Sequence, residues 1–219
     1  MKAFLVFLLI IPPILAACSV NRFFPKGAFN TGNKVQDDME DGYVTNLLIT
    51  LDEPSLWKKS KADNKIESYR LLIDSHFHNI ECVRIDLDYD GKIAIYEKIA
   101  THDTEDEKGI EIKGELLTSK TKELSKKEVY HFINQLDEIK LFEMYPQDFP
   151  KYEYEVTSGS ETYLEIPTDL PIFIFEHLKG SKYKVIPMPV PNNGPINTDK
   201  LYQIAQLFFD LAEEKNGAQ

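Results

Sequence analysis

Cysteine is scarce in this chain, two in 219 residues, at Cys18 and Cys82, and no Cys-x-x-Cys pair occurs. A disulfide framework or a cysteine-rich zinc site is therefore excluded, and stability must come from an apolar core. Positive charge is also short: 25 Lys and Arg stand against 36 Asp and Glu, a net charge of −11. Such a body is repelled by phosphate, so nucleic acid is not an expected partner. Beyond residue 17 no long uncharged run remains, which argues against a multi-span membrane protein. P-loop, Gly-x-Gly-x-x-Gly, Gly-x-Ser-x-Gly and His-Glu-x-x-His motifs are missing as well. What is present, 42% hydrophobic and 28% charged residues, is the mixture of an ordinary folded domain.

The first 17 residues form the one apolar run. Met1-Lys2 is a short basic start, and residues 3–17 carry no charge but are interrupted by Pro12-Pro13. That is the form of a signal-peptide core, too short and too broken for a spanning helix. It ends in Leu15-Ala16-Ala17-Cys18, which resembles the lipobox of bacterial lipoproteins. The resemblance implies cleavage before Cys18, a diacylglycerol on its sulfur and an acyl chain on the freed amine. At about 0.8 kcal/mol per buried methylene, two or three chains anchor a protein durably. It implies a cell-envelope location, the protein being lipid-anchored to a bacterial membrane. If the source has two membranes, Ser19 in place of Asp implies the outer membrane, facing the periplasm. Residues 18–42, rich in Asn, Gly, Asp and Lys, are expected to be a flexible tether.

From residue 43 the chain is expected to be a single α+β domain. Tyr43, Thr45, Leu47, Ile49 and Leu51 alternate as in a strand, as do Tyr69, Leu71 and Ile73, then Val83, Ile85 and Leu87. Asp90-Gly91 predicts a two-residue hairpin turn, with a return strand through Ile93 and Ile95. Further strands are expected over 109–117, 162–166, 172–177 and 183–187. Ser125 and Glu128 form a capping box ahead of Val129, Phe132, Ile133, Leu136 and Ile139 at helical spacing. A second amphipathic helix is expected over about 199–214. The architecture is then a largely antiparallel sheet with two helices packed on it. Ile174-Phe175-Glu176, Gly180-x-x-Tyr183-Lys184 and the closing helix resemble a pattern in uncharacterised bacterial envelope proteins, which implies this architecture and no activity.

Candidate chemistry is sparse. Asp86, Asp88, Asp90-Gly91 and Glu97 fit the calcium-loop pattern D-x-D-x-D-G-x5-E, which makes calcium the candidate ion. The alternating apolar residues before them suit a strand, however, and an EF-hand needs a helix there; the plainer reading is a hairpin with solvated aspartates. Asp74, His76 and His78 share one face of a strand and have the residue types of a two-histidine, one-carboxylate metal site; a plain strand end is the simpler reading. Cys82 reads as a small buried hydrophobe. The acidic run His102 to Glu107 reads as a solvated loop that could attract a basic partner. Together these point to a lipid-anchored envelope protein whose acidic domain is a protein-binding module with a partner in the envelope, without catalytic residues or a required cofactor. Calcium binding and a hydrolase whose residues converge only in three dimensions are the alternatives.

Overall fold

In a computed structural model, the described residues are 22–29, 34–63, 65–75, 79–88, 90–105, 111–141, 154–158, 161–165, 171–189 and 198–213. The elements are α1 (Lys34–Thr50), α2 (Leu56–Ala62), β1 (Ile66–Asp74), β2 (Ile80–Asp88), β3 (Ile93–Ala100), β4 (Thr104–Glu105), β5 (Glu111–Ile112), β6 (Leu116–Glu123), α3 (Lys126–Ile139), β7 (Tyr154–Ser158), β8 (Glu161–Glu165), β9 (Ile172–Lys179), β10 (Lys182–Pro189) and α4 (Thr198–Ala212). Six strands make one sheet in the order β10-β9-β1-β2-β3-β6, every pairing antiparallel. The fold is α+β, as the sequence pattern implies.

The central strands are buried on both faces, and this sets a three-layer arrangement. On one face Tyr69, Leu71, Val83, Ile85, Phe173 and Phe175 pack against Val129, Phe132 and Leu136 of α3 and Ile204 and Phe208 of α4. On the other, Leu72, Ile80, Cys82, Ala100 and Ile174 meet Val44, Leu47 and Leu48 of α1 and Leu51 just after it, together with Phe24 and Phe29. Cys82 is thus a core residue on the α1 face, and burial raises its thiol pKa above the ordinary value. The capping box at α3 is formed: Ser125 Oγ accepts from Glu128 N at 3.3 Å while the Glu128 carboxylate accepts from Ser125 N at 2.9 Å.

Several expectations are corrected. Tyr43 to Thr50 is the second half of α1, not a strand, because Val44, Leu47, Leu48 and, just past its end, Leu51 recur at helical spacing and all four are buried. The tether expected to end at residue 42 is not a tether over its described part. Phe24 and Phe29 are 0% and 1% exposed, and α1 already begins at Lys34, so the boundary at 43 falls inside a helix. Among the described residues α1 and α2 flank the sheet in addition to the two expected helices. The β2–β3 connection is four residues long, 89–92, not two: Asp88 N donates to Lys92 O, Gly91 N donates to Asp88 O, Gly91 has φ 86°, and β3 resumes at Ile93. The strand expected over 109–117 is divided between β5, paired with β4, and β6, at the edge of the main sheet. The other edge, β10, holds Pro187 and Pro189, which lack the N–H that would recruit a further strand.

Candidate functional site

Of the sequence-derived site residues, the calcium set is spread over both faces of the sheet. Asp86 lies on the α1 face of β2, where Ser68 donates to it at 2.7 Å, Lys59 pairs with it at 3.2 Å and Arg84 also binds it. Burial pushes its pKa up, but Arg84 and Lys59 outweigh this and hold it below the usual carboxylate value. Glu97 stands opposite Val83 in the β2–β3 register, hence on the α3 face, and pairs with Lys120 at 3.3 Å. Asp88 and Asp90 are exposed at the hairpin, where Asp88 Oδ1 accepts from Asp90 N at 3.2 Å. Among the described residues no group of three or more His, Cys, Asp or Glu is placed to hold a metal. Asp74 is fully buried; Tyr43 donates to it and His102 Nε2 lies 3.1 Å from Oδ1. Cys18, the signal-peptide segment, His76 and His78 lie outside the described residues.

Sequence reasoning missed a buried layer of charge between α1 and α2. Asp52 adopts the left-handed conformation, φ 51°, at the end of α1, with Asp52 N donating to Ile49 O and Glu53 N to Leu48 O. This Schellman-type turn sends Glu53 down onto the sheet. There its carboxylate receives Arg84 Nε at 2.8 Å, Lys98 Nζ at 3.2 Å and Arg70 Nη1 at 3.3 Å. Arg70 also binds Glu176, which accepts from Tyr183 Oη at 2.5 Å. Burial works against the Arg70 charge, yet Glu176 and Glu53 outweigh it and raise the guanidinium pKa further. Three cations, Arg70, Arg84 and Lys98, thus face three carboxylates, Glu53, Glu176 and Asp86. Mutual neutralisation makes this layer a brace between the N-terminal helices and the sheet. The signal was a charged residue near the middle of each of four strands, Arg70, Arg84, Lys98 and Glu176, all four on one face of the sheet.

An open groove lies on the opposite face, between α3 and α4. It encloses about 540 Å³, within the range of ligand and peptide clefts. Phe132, Leu207 and Leu211 give it an apolar floor, and Lys127, His131, Asp210 and Glu213 give it a rim of both signs. Lys122 of β6 donates to Glu213 O at 3.0 Å, tying the C-terminal end of α4 to the edge strand. Among the described residues no helix is long and apolar enough to cross a membrane. No protein-family model, curated protein or solved structure matches this chain.

Proposed function

We propose that this is a lipid-anchored bacterial envelope protein whose α+β domain binds a protein partner in the groove between α3 and α4. The observation that carries the binding half is the groove itself, an apolar floor with a mixed-charge rim, the combination that buries apolar anchors of a partner and orients its polar groups. Leu15-Ala16-Ala17-Cys18 supports the anchor half. The net charge of −11 favours a partner that is basic or neutral over one that is acidic. The test is photo-crosslinking in the native envelope from residue 131, with residue 65 on the far face as control. A partner captured from 131 and not from 65, and lost in Leu211→Arg, is expected. Capture that is equal from both positions refutes the groove. Detergent-phase partitioning that survives Cys18→Ala refutes the anchor.

A further inference from the structure

We infer that the domain is seated directly on the anionic headgroups of its own membrane through the basic face formed by α2 and the β9–β10 turn, so that the α3–α4 groove points away from the bilayer. The inference rests on the proposed acylation of Cys18. It begins from chain length. Residues 22–24 are docked on α2: Ser55 Oγ donates to Phe23 O at 2.5 Å, the Lys58 ammonium lies 5.3 Å from the Phe23 ring centre, and Phe24 is fully buried. Only four residue steps separate Cys18 from Arg22, a reach of about 14 Å even when fully extended. The headgroup layer itself takes up roughly 6 Å of that reach on one side of a bilayer. What remains is about one Debye length at physiological ionic strength, so charges beside the docking point feel the membrane surface.

On α2 and its flanks those charges are mostly positive, while Asp41 of α1 lies near Arg22 and Asp37 near Gly27. Residues 55–66 contain four lysines and one aspartate, net +3 in a chain of net −11. Lys58, Lys61 and Lys65 are exposed there, and Lys26 is exposed beside the docked segment. α2 packs over β9 and β10, and Gly180 N donates to Ile66 O at 3.1 Å, which brings exposed Lys182 to the same end of the sheet. Lys61 stacks at 3.6 Å over Trp57, a pairing of cation and indole suited to a headgroup boundary. The groove lies across the sheet from α2, so a domain seated on α2 presents the groove to the aqueous side.

Trp57 is the only tryptophan and reports directly on the seat. The full acylated protein is reconstituted into vesicles of phosphatidylcholine and phosphatidylglycerol that contain a headgroup-nitroxide lipid. Trp57 is expected to be quenched, with loss of quenching in Lys58→Glu/Lys61→Glu/Lys65→Glu. In a second protein, Trp57→Phe/Tyr130→Trp, the reporter sits on α3, where Tyr130 is 63% exposed, and it is expected to stay bright. Flotation with the vesicles is scored separately. Protein that floats with Trp57 unquenched, or with both reporters quenched alike, overturns the seat alone and leaves the face to another occupant such as an acidic protein. Protein that fails to float overturns the anchor and the seat with it.

Discussion

Replacing Glu53 by alanine is the sharpest test of how the N-terminal helices are held. The residue is buried and touches Arg70, Arg84 and Lys98 at 3.3, 2.8 and 3.2 Å. Without it Arg70, Arg84 and Lys98 are left with two carboxylates, Glu176 and Asp86, and Asp86 is shared with Lys59. Removing one partner of a buried ion pair costs about 3–5 kcal/mol, because the remaining charge has no solvent to return to. In a chain of this length that lowers Tm by roughly 6–20 °C. The assay is urea and thermal unfolding of the mature Cys18→Ala protein followed by circular dichroism. Glu53→Gln is expected to lose nearly as much, since it keeps the shape and removes the charge, which separates electrostatics from cavity formation. Lys120→Ala breaks the Lys120–Glu97 pair, where Lys120 is 70% exposed, and is expected to cost under about 0.5 kcal/mol. A loss below about 1 kcal/mol for Glu53→Ala, or one equal to that of Lys120→Ala, would refute the claim that this layer is a brace.

Three further outcomes are expected. Lys140 ends α3 in the left-handed region at φ 58°, so Lys140→Gly should stabilise by about 0.5–1 kcal/mol, read as a higher urea midpoint; a lower midpoint would contradict the strain argument. Burial opposes ionisation of Glu67, but hydrogen bonds from His177, Tyr69 and Lys179 hold its pKa down to about 2, against 4.5 ordinarily. Its stabilisation is therefore complete above about pH 4.5 and is lost as pH falls toward 2, and Asp86, also depressed, acts in the same direction. Melts of Glu67→Gln and the parent protein should differ at pH 6 and converge near pH 2; a constant difference across that window would remove the linkage. Millimolar calcium is expected to leave Tm unchanged, because Asp86 is neutralised by Arg84 and Lys59 while Glu97 lies across the sheet, and a calcium-dependent rise abolished by Asp88→Asn would reverse that view.

The sheet and the two later helices were legible because each follows a single period. Leu71 and Ile73 alternate in β1, Val129, Phe132 and Leu136 recur every three to four residues in α3, and Ser125 with Glu128 marks the start of that helix. α1 was ambiguous for a physical reason. Leu47 and Leu51 satisfy both periods, so the decision falls on Val44, Leu48 and Ile49, and in the fold the first two are buried while Ile49 is 56% exposed. A strand would have reversed those three. Only the sheet that α1 covers decides between the two, and that is tertiary context. The calcium pattern has the complementary weakness: letters at fixed spacing carry no information about which face of a hairpin each side chain takes.

The same limit explains why Glu53, followed by Pro54, gives no sign of its role in the sequence. Its role depends on Arg70, Arg84 and Lys98, residues 17, 31 and 45 positions further on, converging under one turn. A charge at the centre of a strand that is apolar on both faces must find a counter-charge from the layer above, since leaving it unpaired costs several kcal/mol. β1, β2, β3 and β9 each carry one such charge at the centre of the face that α1 covers, Arg70, Arg84, Lys98 and Glu176, and cations exceed carboxylates among these four. The imbalance requires acidic residues from outside the four central strands or from their margins, and Glu53 and Asp86 supply them. Residues before 66 are therefore part of the folded unit, which brings its first docked residues to within four positions of Cys18. A short connection of that kind, in place of a tether of 25 residues, is what the proposed seat on the bilayer rests on.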